Sequence, residues 1–240
     1  MTAAAAKAGK TVVVMQPYLF PYLPYYQLAQ AADEFVFLDD AAFIKQGFIH
    51  RNSILLDGKA HRFTAPVRDI DSFRTIAQHR YVGDWTALCA LLTAAYQRAP
   101  RWRAAWPLVQ SVLRDADDNV AAKNMRSIRC VHEYLGIASP QWTLSSTLDP
   151  APALRGLARV LALCRATGAT AYVNAPGGRE LYGAADFEAN GLSLRFVESR
   201  AAPYPQSRHD FVPGLSMLDA LMYCEPEEIV SRLAAFALVA

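Results

Sequence analysis

The sequence predicts an α/β protein with a mostly parallel, Rossmann-like sheet and a helical insert in the middle of the chain. The first observation is a continuous apolar run, Thr11–Met15, of the kind found in strands buried on both faces. The second is helical spacing that begins at Pro24 and leads to another apolar run, Glu34–Leu38. A strand, a helix and a strand within about thirty residues form a βαβ unit, whose strands are parallel.

The remaining patterns complete this architecture. Asp57-Gly58 separates two short strands and suits a tight hairpin turn. In the helical section, Asp118 or Asn119 is the expected N-cap of the last helix and Gly136 its end. The elements predicted after the first strand pair are, in chain order, strands Ser53–Leu56 and His61–Ala65, helices Trp85–Gln97, Trp102–Arg114 and Val120–Leu135, strand Gln141–Leu144, helix Leu154–Thr167, strands Thr170–Val173 and Ser193–Val197, and helix Pro226–Phe236.

Length and composition favour one folded domain. The chain has 240 residues, of which 53% are hydrophobic and 19% charged. This composition excludes a disordered chain, which has fewer apolar and more charged residues. A chain of this length buries roughly 70% of the surface that its unfolded form exposes, so its core needs no disulfide bonds or structural metal ions for stability. We therefore expect a single α/β domain over residues 1–240, with the helical section at about 84–136 inserted in it.

Charge and cysteine usage narrow the functional classes. The 24 Lys and Arg residues against 22 Asp and Glu give a net charge of +2, which is too balanced for nucleic-acid binding by phosphate neutralisation. The four cysteines show no CxxC or zinc spacing, so we expect reduced thiols and no metal site. Residues 3–10 form a lead-in without a secretion signal, and no apolar run is long enough to span a membrane. These features predict a cytoplasmic protein.

The segment after the first strand is the first candidate site. The sequence contains no GxGxxG, GxxxxGKS/T, HExxH or GxSxG motif, so it identifies no cofactor. Ligands of open parallel sheets bind beyond the carboxyl ends of the strands, where Gln16–Tyr26 begins. This segment offers an amide at Gln16 and tyrosine rings that include Tyr18 and Tyr22. The same composition also fits an aromatic plug over the sheet edge, and both interpretations stay open.

The second candidate site follows the second strand, which ends in Asp39 and Asp40. Because side chains alternate along a strand, only one of the two carboxylates is expected to face the site. A carboxylate there could take a proton, bind a metal or hold a ribose. The polar residues that follow closely could hold an anionic substrate: Lys45, His50, Arg51 and Asn52. The alternative is a surface ion-pair cluster, which contributes little.

The third candidate site follows another predicted strand and contains Asn174, Gly177, Gly178 and Tyr182. The two glycines are suited to positive φ and to binding an anion through convergent backbone N–H groups. Pro-Gly-Gly is also an ordinary turn sequence. The position after a strand favours the binding interpretation.

The last candidate segment lies near the C-terminus and contains Tyr204. Further along it, Ser216 and Asp219 fit a capping box, and we prefer this structural role to a catalytic one. His209 and Cys224 would supply a base and a nucleophile, but their spacing does not require such a pair.

Together these segments resemble the WbqC-like protein family. The resemblance runs in order from about Thr11 to Pro226, and it rests on motifs that are weak singly and specific in combination: Gln16-Pro … Pro24, Phe35-Val-Phe-Leu-Asp-Asp40, Lys45, Arg51-Asn52, Tyr172 … Gly177-Gly178 … Tyr182 and Phe211-Val-Pro-Gly-Leu-Ser-Met-Leu-Asp219. The resemblance implies a bacterial protein encoded near genes for surface-polysaccharide (O-antigen) or natural-product biosynthesis. For some members it also implies glycyl or acyl transfer.

We therefore expect a biosynthetic enzyme that transfers an acyl or aminoacyl group to an amine or hydroxyl of a small molecule or sugar. The expected catalytic residues are Gln16, Asp39, Asp40 and Lys45. Gln16 and the glycine amides would stabilise an oxyanion, and one of the two Asp residues would act as base. The expected substrate-binding residues are Tyr18, Tyr22, His50, Arg51, Asn52, Asn174, Gly177, Gly178, Tyr182 and Tyr204.

Other functional interpretations stay open. One is nucleotidyl or phosphoryl transfer, in which the same acids would bind Mg²⁺ and the same cations would bind phosphates. Another is a scaffold subunit without catalytic activity. The expected partner is a small-molecule substrate, which could be carried by a tRNA or an acyl carrier protein. The sequence defines neither a cofactor nor an oligomeric state.

Overall fold

The computed structural model describes residues 9–148, 153–207 and 210–240. Most of the predicted lead-in over residues 3–10 and all of His209 therefore lie outside the described residues. The described parts of the chain contain eight strands and eight α-helices: β1 (Thr11–Met15), α1 (Leu23–Ala31), β2 (Glu34–Phe37), β3 (Arg51–Leu56), β4 (Lys59–Thr64), α2 (Thr86–Tyr96), α3 (Trp102–Leu113), α4 (Val120–Leu135), β5 (Gln141–Leu144), α5 (Gly156–Thr167), β6 (Ala171–Asn174), α6 (Ala184–Glu188), β7 (Ser193–Ser199), α7 (Met217–Tyr223), α8 (Pro226–Ala234) and β8 (Phe236–Val239).

Six of the strands form one sheet in the order β5-β2-β1-β6-β7-β8. All neighbouring strands in it are parallel except β7 and β8, which are antiparallel. The predicted α/β class with a mostly parallel sheet is therefore confirmed. The chain first builds the sheet outwards from β1 to β2 and β5, and then returns to place β6 on the other side of β1. The crevice outside the carboxyl ends of strands at such a reversal is where these sheets bind ligands.

Helices cover both faces of the sheet. In β1, Val13 packs into a core that also contains residues of α1, α4, α7 and α8, whereas Val12 and Val14 pack into a second core with α5. Because both faces are covered, the central strands have continuous apolar sequences instead of alternating ones. The inserted helical section contributes to the first of these cores, for example through Val109 and Ile128.

The predicted hairpin turn and both predicted ends of α4 are confirmed. The hairpin of β3 and β4 turns at Asp57-Gly58, and both residues have positive φ (49° and 74°), as a type I′ turn requires. The side chain of Asn119 caps α4 by accepting a hydrogen bond from the Ala122 N–H at 3.0 Å. Gly136 ends α4 in the left-handed conformation, with φ of 62°.

The C-terminal part of the prediction is wrong in one respect. The last helix ends at Ala234, and Phe236–Val239 forms β8 in place of a helical continuation. The apolar spacing of this segment fits a helix, but β7 would otherwise present an unpaired edge. Pairing with β8 satisfies that edge.

Candidate active site

Several of the polar residues predicted to form the site lie at the carboxyl edge of the sheet. β1 leads into Gln16, β2 leads towards Asp39 and Asp40, and β6 ends at Asn174. Because β1 lies between β2 and β6, these residues come from three adjacent parallel strands. β5 lies on the other side of β2 and leads into Ser145. The topology therefore brings together segments that are distant in sequence.

Side chains from three other elements hold the loop after β1. Phe20 in this loop has a φ of 43°, which is uncommon for a residue other than glycine. Its carbonyl oxygen accepts hydrogen bonds from Asn52 Nδ2 at 2.7 Å and Ser216 Oγ at 2.6 Å. Its N–H donates to Ser127 Oγ at 3.0 Å. Asn52, a predicted substrate ligand, therefore positions the loop.

Asn124 of α4 fixes the beginning of the same loop. Its buried Nδ2 donates to the carbonyl oxygens of Pro17 at 3.0 Å and Ile49 at 2.7 Å. Its Oδ1 accepts a hydrogen bond from the Tyr81 hydroxyl at 2.7 Å, so both ends of the amide are satisfied. The sequence does not predict this role, because the pattern of a helix does not show which loop a polar residue on it will contact.

A cavity of about 400 Å³ lies at the carboxyl end of β1, and we call it the aromatic cavity. It is lined by Met15, Tyr18, Pro21, Tyr22, Phe48, Asn52 and Gly214, and none of these described residues carries a formal charge. Burial, with a contribution from Tyr22, raises the pKa of the Tyr18 phenol to about 12, so it is neutral at pH 7. Burial also raises the pKa of Tyr22. The cavity suits an uncharged aromatic or aliphatic ligand group.

Asp39 and Asp40 have different surroundings. Asp39 is buried and accepts hydrogen bonds from the Ser146 N–H at 3.0 Å, from Ser146 Oγ at 2.6 Å and from Ser145 Oγ at 3.1 Å. Asp40 is partly exposed and forms an ion pair with Arg159 of α5. It also lies within hydrogen-bond distance of Ser145 Oγ, whose single proton can go to either carboxylate. The Asp39 N–H bonds to the carbonyl two residues earlier at 2.9 Å, so the chain has left the strand and side-chain alternation no longer applies.

Asp40 lines a second cavity, of about 150 Å³, which we call the polar cavity. Its lining residues are Leu38, Asp40, Ala41, Ala42, Leu154, Arg155, Gly156, Arg159, Val160 and Tyr182. Asp39 is not among these described residues, so Asp40 is the carboxylate that can meet a ligand. The cavity has charged groups of both signs on its wall, and its volume suits a small polar group.

The two cavities lie at the carboxyl ends of neighbouring strands. The Leu38 N–H donates to the Met15 carbonyl oxygen at 2.9 Å. Leu38 lines the polar cavity and Met15 lines the aromatic cavity. Met15 packs against the first core and Leu38 against the second, so the two cavities lie on opposite faces of the sheet, beside the point where the strand order reverses.

A model of the WbqC-like protein family matches residues 16–231 of the chain. The chain belongs to this family. The matched region begins at Gln16 and includes Asp40, Arg159 and Tyr182 of the polar cavity. The chain is also similar to uncharacterized protein Rv1507c of Mycobacterium tuberculosis (strain ATCC 25618 / H37Rv), with 28% identity over 220 residues that cover 88% of this chain and 93% of the relative. No solved structure matches the chain significantly.

Gln16 and Tyr182 of this WbqC-like protein lie close to the two cavities. Gln16 follows the last residue of β1, and its Oε1 accepts a long hydrogen bond from the Tyr18 hydroxyl at 3.4 Å. Tyr182 packs edge-to-face on Tyr172 and Phe187, with ring centroids 6.0 and 5.9 Å apart. Burial raises the pKa of the Tyr182 hydroxyl, so it remains protonated and can donate a hydrogen bond into the polar cavity.

Lys45, His50 and Arg51 do not join the described lining of either cavity. The Arg51 guanidinium donates to two backbone carbonyls four and five residues before it. These hydrogen bonds stabilise the preceding loop, so the guanidinium has a structural role there. Lys45 is exposed on that loop. His50 is buried against Phe43, and burial, with Arg51 and His79 nearby, lowers its pKa to about 4. These three residues therefore lie outside the walls of the two cavities, and their contact with an anionic substrate stays a prediction.

Gly177 and Gly178 do not form the predicted anion-binding turn. They lie in a 3-10 turn, Pro176–Glu180, and neither has a positive φ. The Gly178 N–H already donates to the Ala175 carbonyl at 2.9 Å. The preceding Asn174 uses its Oδ1 to accept a hydrogen bond from the Ala175 N–H at 2.8 Å. The prediction of positive φ is wrong because the proline starts a helical turn.

Replacing Gly178 with Ala is expected to lower the free energy of unfolding by about 1–3 kcal/mol. The added Cβ would lie 2.3 Å from Asn174 Nδ2 and 2.8 Å from its Cγ. Gly177→Ala is the matched control, because nothing lies within 4 Å of its added Cβ. Urea unfolding measures both variants, and equal midpoints would contradict the proposed close contact at Gly178.

Asp219 lies at the centre of a buried polar cluster. Its Oδ1 accepts a hydrogen bond from the Tyr96 hydroxyl at 2.9 Å. Its Oδ2 accepts hydrogen bonds from the Tyr204 hydroxyl at 2.8 Å and from Gln206 Nε2 at 2.7 Å. Burial raises the pKa of Asp219, although the hydrogen bonds from these three side chains oppose the shift. Tyr204, a predicted substrate ligand, is therefore part of the structural cluster and does not line either of the two cavities described above.

The predicted capping box at α7 is only half formed. Ser216 is the N-cap and accepts a hydrogen bond from the Leu218 N–H at 3.2 Å. The reciprocal bond is absent because the Ser216 N–H donates to the Ser53 carbonyl and the Asp219 carboxylate turns towards its buried cluster. Cys224 is a free thiol whose pKa burial raises to about 11, which does not suit a nucleophile at pH 7.

The described residues contain neither a metal-binding cluster nor a membrane-spanning helix. Within residues 9–148, 153–207 and 210–240, no three His, Cys, Asp or Glu side chains lie together in a way that could hold a metal ion. In the same part of the chain, no helix is both long and apolar enough to cross a membrane.

Proposed function

We propose that this protein transfers an acyl or aminoacyl group from an activated donor to the amine or hydroxyl of a small molecule or sugar. The observation that supports the proposal is that two cavities with different linings lie at the carboxyl ends of the neighbouring strands β1 and β2. The neutral aromatic cavity suits the acyl group, and the polar cavity suits the acceptor. Holding two reactants side by side supplies much of the rate of such a transfer.

Asp40 is the proposed base of this reaction. The acceptor nitrogen or oxygen forms a bond to the acyl carbon, and the bond from that carbon to the leaving sulfur or oxygen breaks. The proton released by the acceptor passes to the Asp40 carboxylate and then to the leaving group, which restores Asp40. Arg159 holds the carboxylate in place. The Tyr182 hydroxyl and the Gln16 amide are the proposed donors to the oxyanion that develops on the acyl group.

A thermal-shift panel tests this proposal. The ligands are pantetheine thioesters of aromatic and aliphatic acids, amino acids, amino sugars and nucleotides, each with and without Mg²⁺. A ligand at a hundred times its Kd stabilises the folded protein by about 2.7 kcal/mol. We expect stabilisation by a thioester without Mg²⁺, and a further increase when an amine acceptor is added.

Two variants of one loop provide the matched comparison. Phe48→Lys places a charge on the wall of the aromatic cavity and is expected to remove the thioester response. Ile44→Lys is the control, because Ile44 is similarly exposed (50% against 57%) but does not line the cavity. Equal thioester responses of the two variants would contradict the assigned cavity. A Mg²⁺-dependent nucleotide response would favour phosphoryl transfer instead, and a panel without any response would favour a scaffold subunit.

A further inference from the structure

An exposed apolar surface lies at the border of the aromatic cavity. Ala42 bridges Thr75 in antiparallel register, and Ile44 and Phe73 each lie two residues from this bridge on the two bridged segments. Their exposed fractions are 50% and 96%. Single exposed apolar side chains are ordinary, whereas several that lie close together mark an interaction site. We call Ile44, Phe48 and Phe73 the ribbon patch.

Phe48 connects the ribbon patch to the aromatic cavity. A turn in which the Gly47 N–H donates to the Ile44 carbonyl at 3.1 Å leads the chain to Phe48. The Phe48 ring lies 6.2 Å from the ring of Tyr18, lines the cavity and is also 57% exposed. The patch is therefore continuous with the entrance of the cavity proposed for the acyl group.

The segment of the sequence that contains the ribbon patch is more basic than the remaining chain. Residues 41–80 contain seven Lys and Arg and three Asp, whereas the remaining chain contains 17 Lys and Arg and 19 Asp and Glu. Lys45 and Arg74, which directly neighbour Ile44 and Phe73 in sequence, are both exposed. An apolar centre with a basic rim is complementary to an acidic protein surface that has exposed apolar side chains.

We infer that the ribbon patch docks an acidic carrier protein, which delivers the acyl donor on a flexible arm to the aromatic cavity. This inference rests on the proposed acyl transfer. A protein partner is favoured over RNA because the centre of the surface is apolar and the net charge of the whole chain is only +2. Docking beside the cavity gives the tethered acyl group a high effective concentration at its binding site.

The test is a binding measurement that needs no catalytic activity. Bacterial acyl and peptidyl carrier proteins, in their phosphopantetheine form without an acyl group, are titrated against the full chain by calorimetry. We expect binding that weakens as salt is added, because the rim charges are exposed. The double variants Ile44→Ser with Phe73→Ser, and Lys45→Glu with Arg74→Glu, are expected to bind the carrier at least about tenfold more weakly.

The controls replace comparable residues elsewhere. Leu238→Ser removes an apolar side chain of β8 that is 45% exposed, and Arg103→Glu reverses an exposed charge in the first turn of α3. Both are expected to bind the carrier like the wild type. The ribbon variants are also expected to keep the response to small thioesters, since neither Ile44 nor Phe73 lines the cavity.

The outcomes separate the docking proposal from the proposed reaction. Wild-type affinity in both ribbon variants would overturn the docking surface even if small thioesters bind. Failure of every carrier to bind at millimolar concentration would also overturn it, as would binding of tRNA alone at these residues. Carrier binding that depends on the ribbon patch, without any response to thioesters, would support docking and count against acyl transfer.

Discussion

Replacing Asp40 with Asn is expected to lower kcat/KM for acyl transfer by at least about a hundredfold, the effect of losing a general base. The Asn amide can still accept the hydrogen bond from Ser145, but it cannot take a proton from the acceptor. The cost in the free energy of unfolding is expected to be at most about 1–2 kcal/mol, because the carboxylate is partly exposed. Initial rates and urea unfolding measure the two effects separately.

Asp39→Asn is the matched control for this variant. The Asp39 carboxylate is buried and accepts hydrogen bonds from both Ser145 and Ser146, so an amide there would weaken these bonds by removing the negative charge, and its NH₂ would face a donor if it took the place next to the Ser146 N–H. We expect this variant to lose about 2–4 kcal/mol of stability and to keep most of its rate per folded molecule. A larger rate loss in Asp39→Asn than in Asp40→Asn would contradict the assignment of Asp40 as base.

The fold can be predicted from the sequence better than the site can. The fold follows largely from local sequence signals, whereas the site depends on contacts between residues that are distant in sequence. The apolar run of β1 reflects burial on both faces, and Asp57-Gly58 encodes its turn through its own backbone preferences. Such signals are local. The β8 strand escaped prediction because its stability depends on pairing with β7, a contact that the segment itself does not encode.

The site depends on contacts between residues that are distant in sequence, and no local pattern predicts these contacts. The two partners of Asp40, Ser145 and Arg159, lie 105 and 119 residues further along the chain. An arginine in an amphipathic helix such as α5 is ordinarily a solvated residue. The parallel topology alone brings its side chain to the end of β2. The opposite error concerns Arg51, which looks like an anion ligand and instead bonds to carbonyls of its own loop.

Replacing Asp219 with Ala is expected to cause the largest loss of stability, about 3–5 kcal/mol. The side chain is fully buried, and its removal takes the acceptor from the hydroxyls of Tyr96 and Tyr204 and from one N–H of the Gln206 amide, which also donates to the Val212 carbonyl. Tyr204→Phe removes only one of these donors and is expected to cost about 1–2 kcal/mol. Urea unfolding with unchanged m-values measures both changes.

The combination of these two substitutions tests whether the cluster acts as a unit. Once Asp219 is gone, the Tyr204 hydroxyl has lost its acceptor, so Tyr204→Phe should cost little in that background. Additive losses would contradict a shared cluster. The Tyr96 hydroxyl also accepts a hydrogen bond from the Leu55 N–H at 3.0 Å, so the cluster joins α7 to β3. Because α7 is capped by Ser216, which also holds Phe20, the loss of Asp219 should loosen the wall of the aromatic cavity before the sheet unfolds.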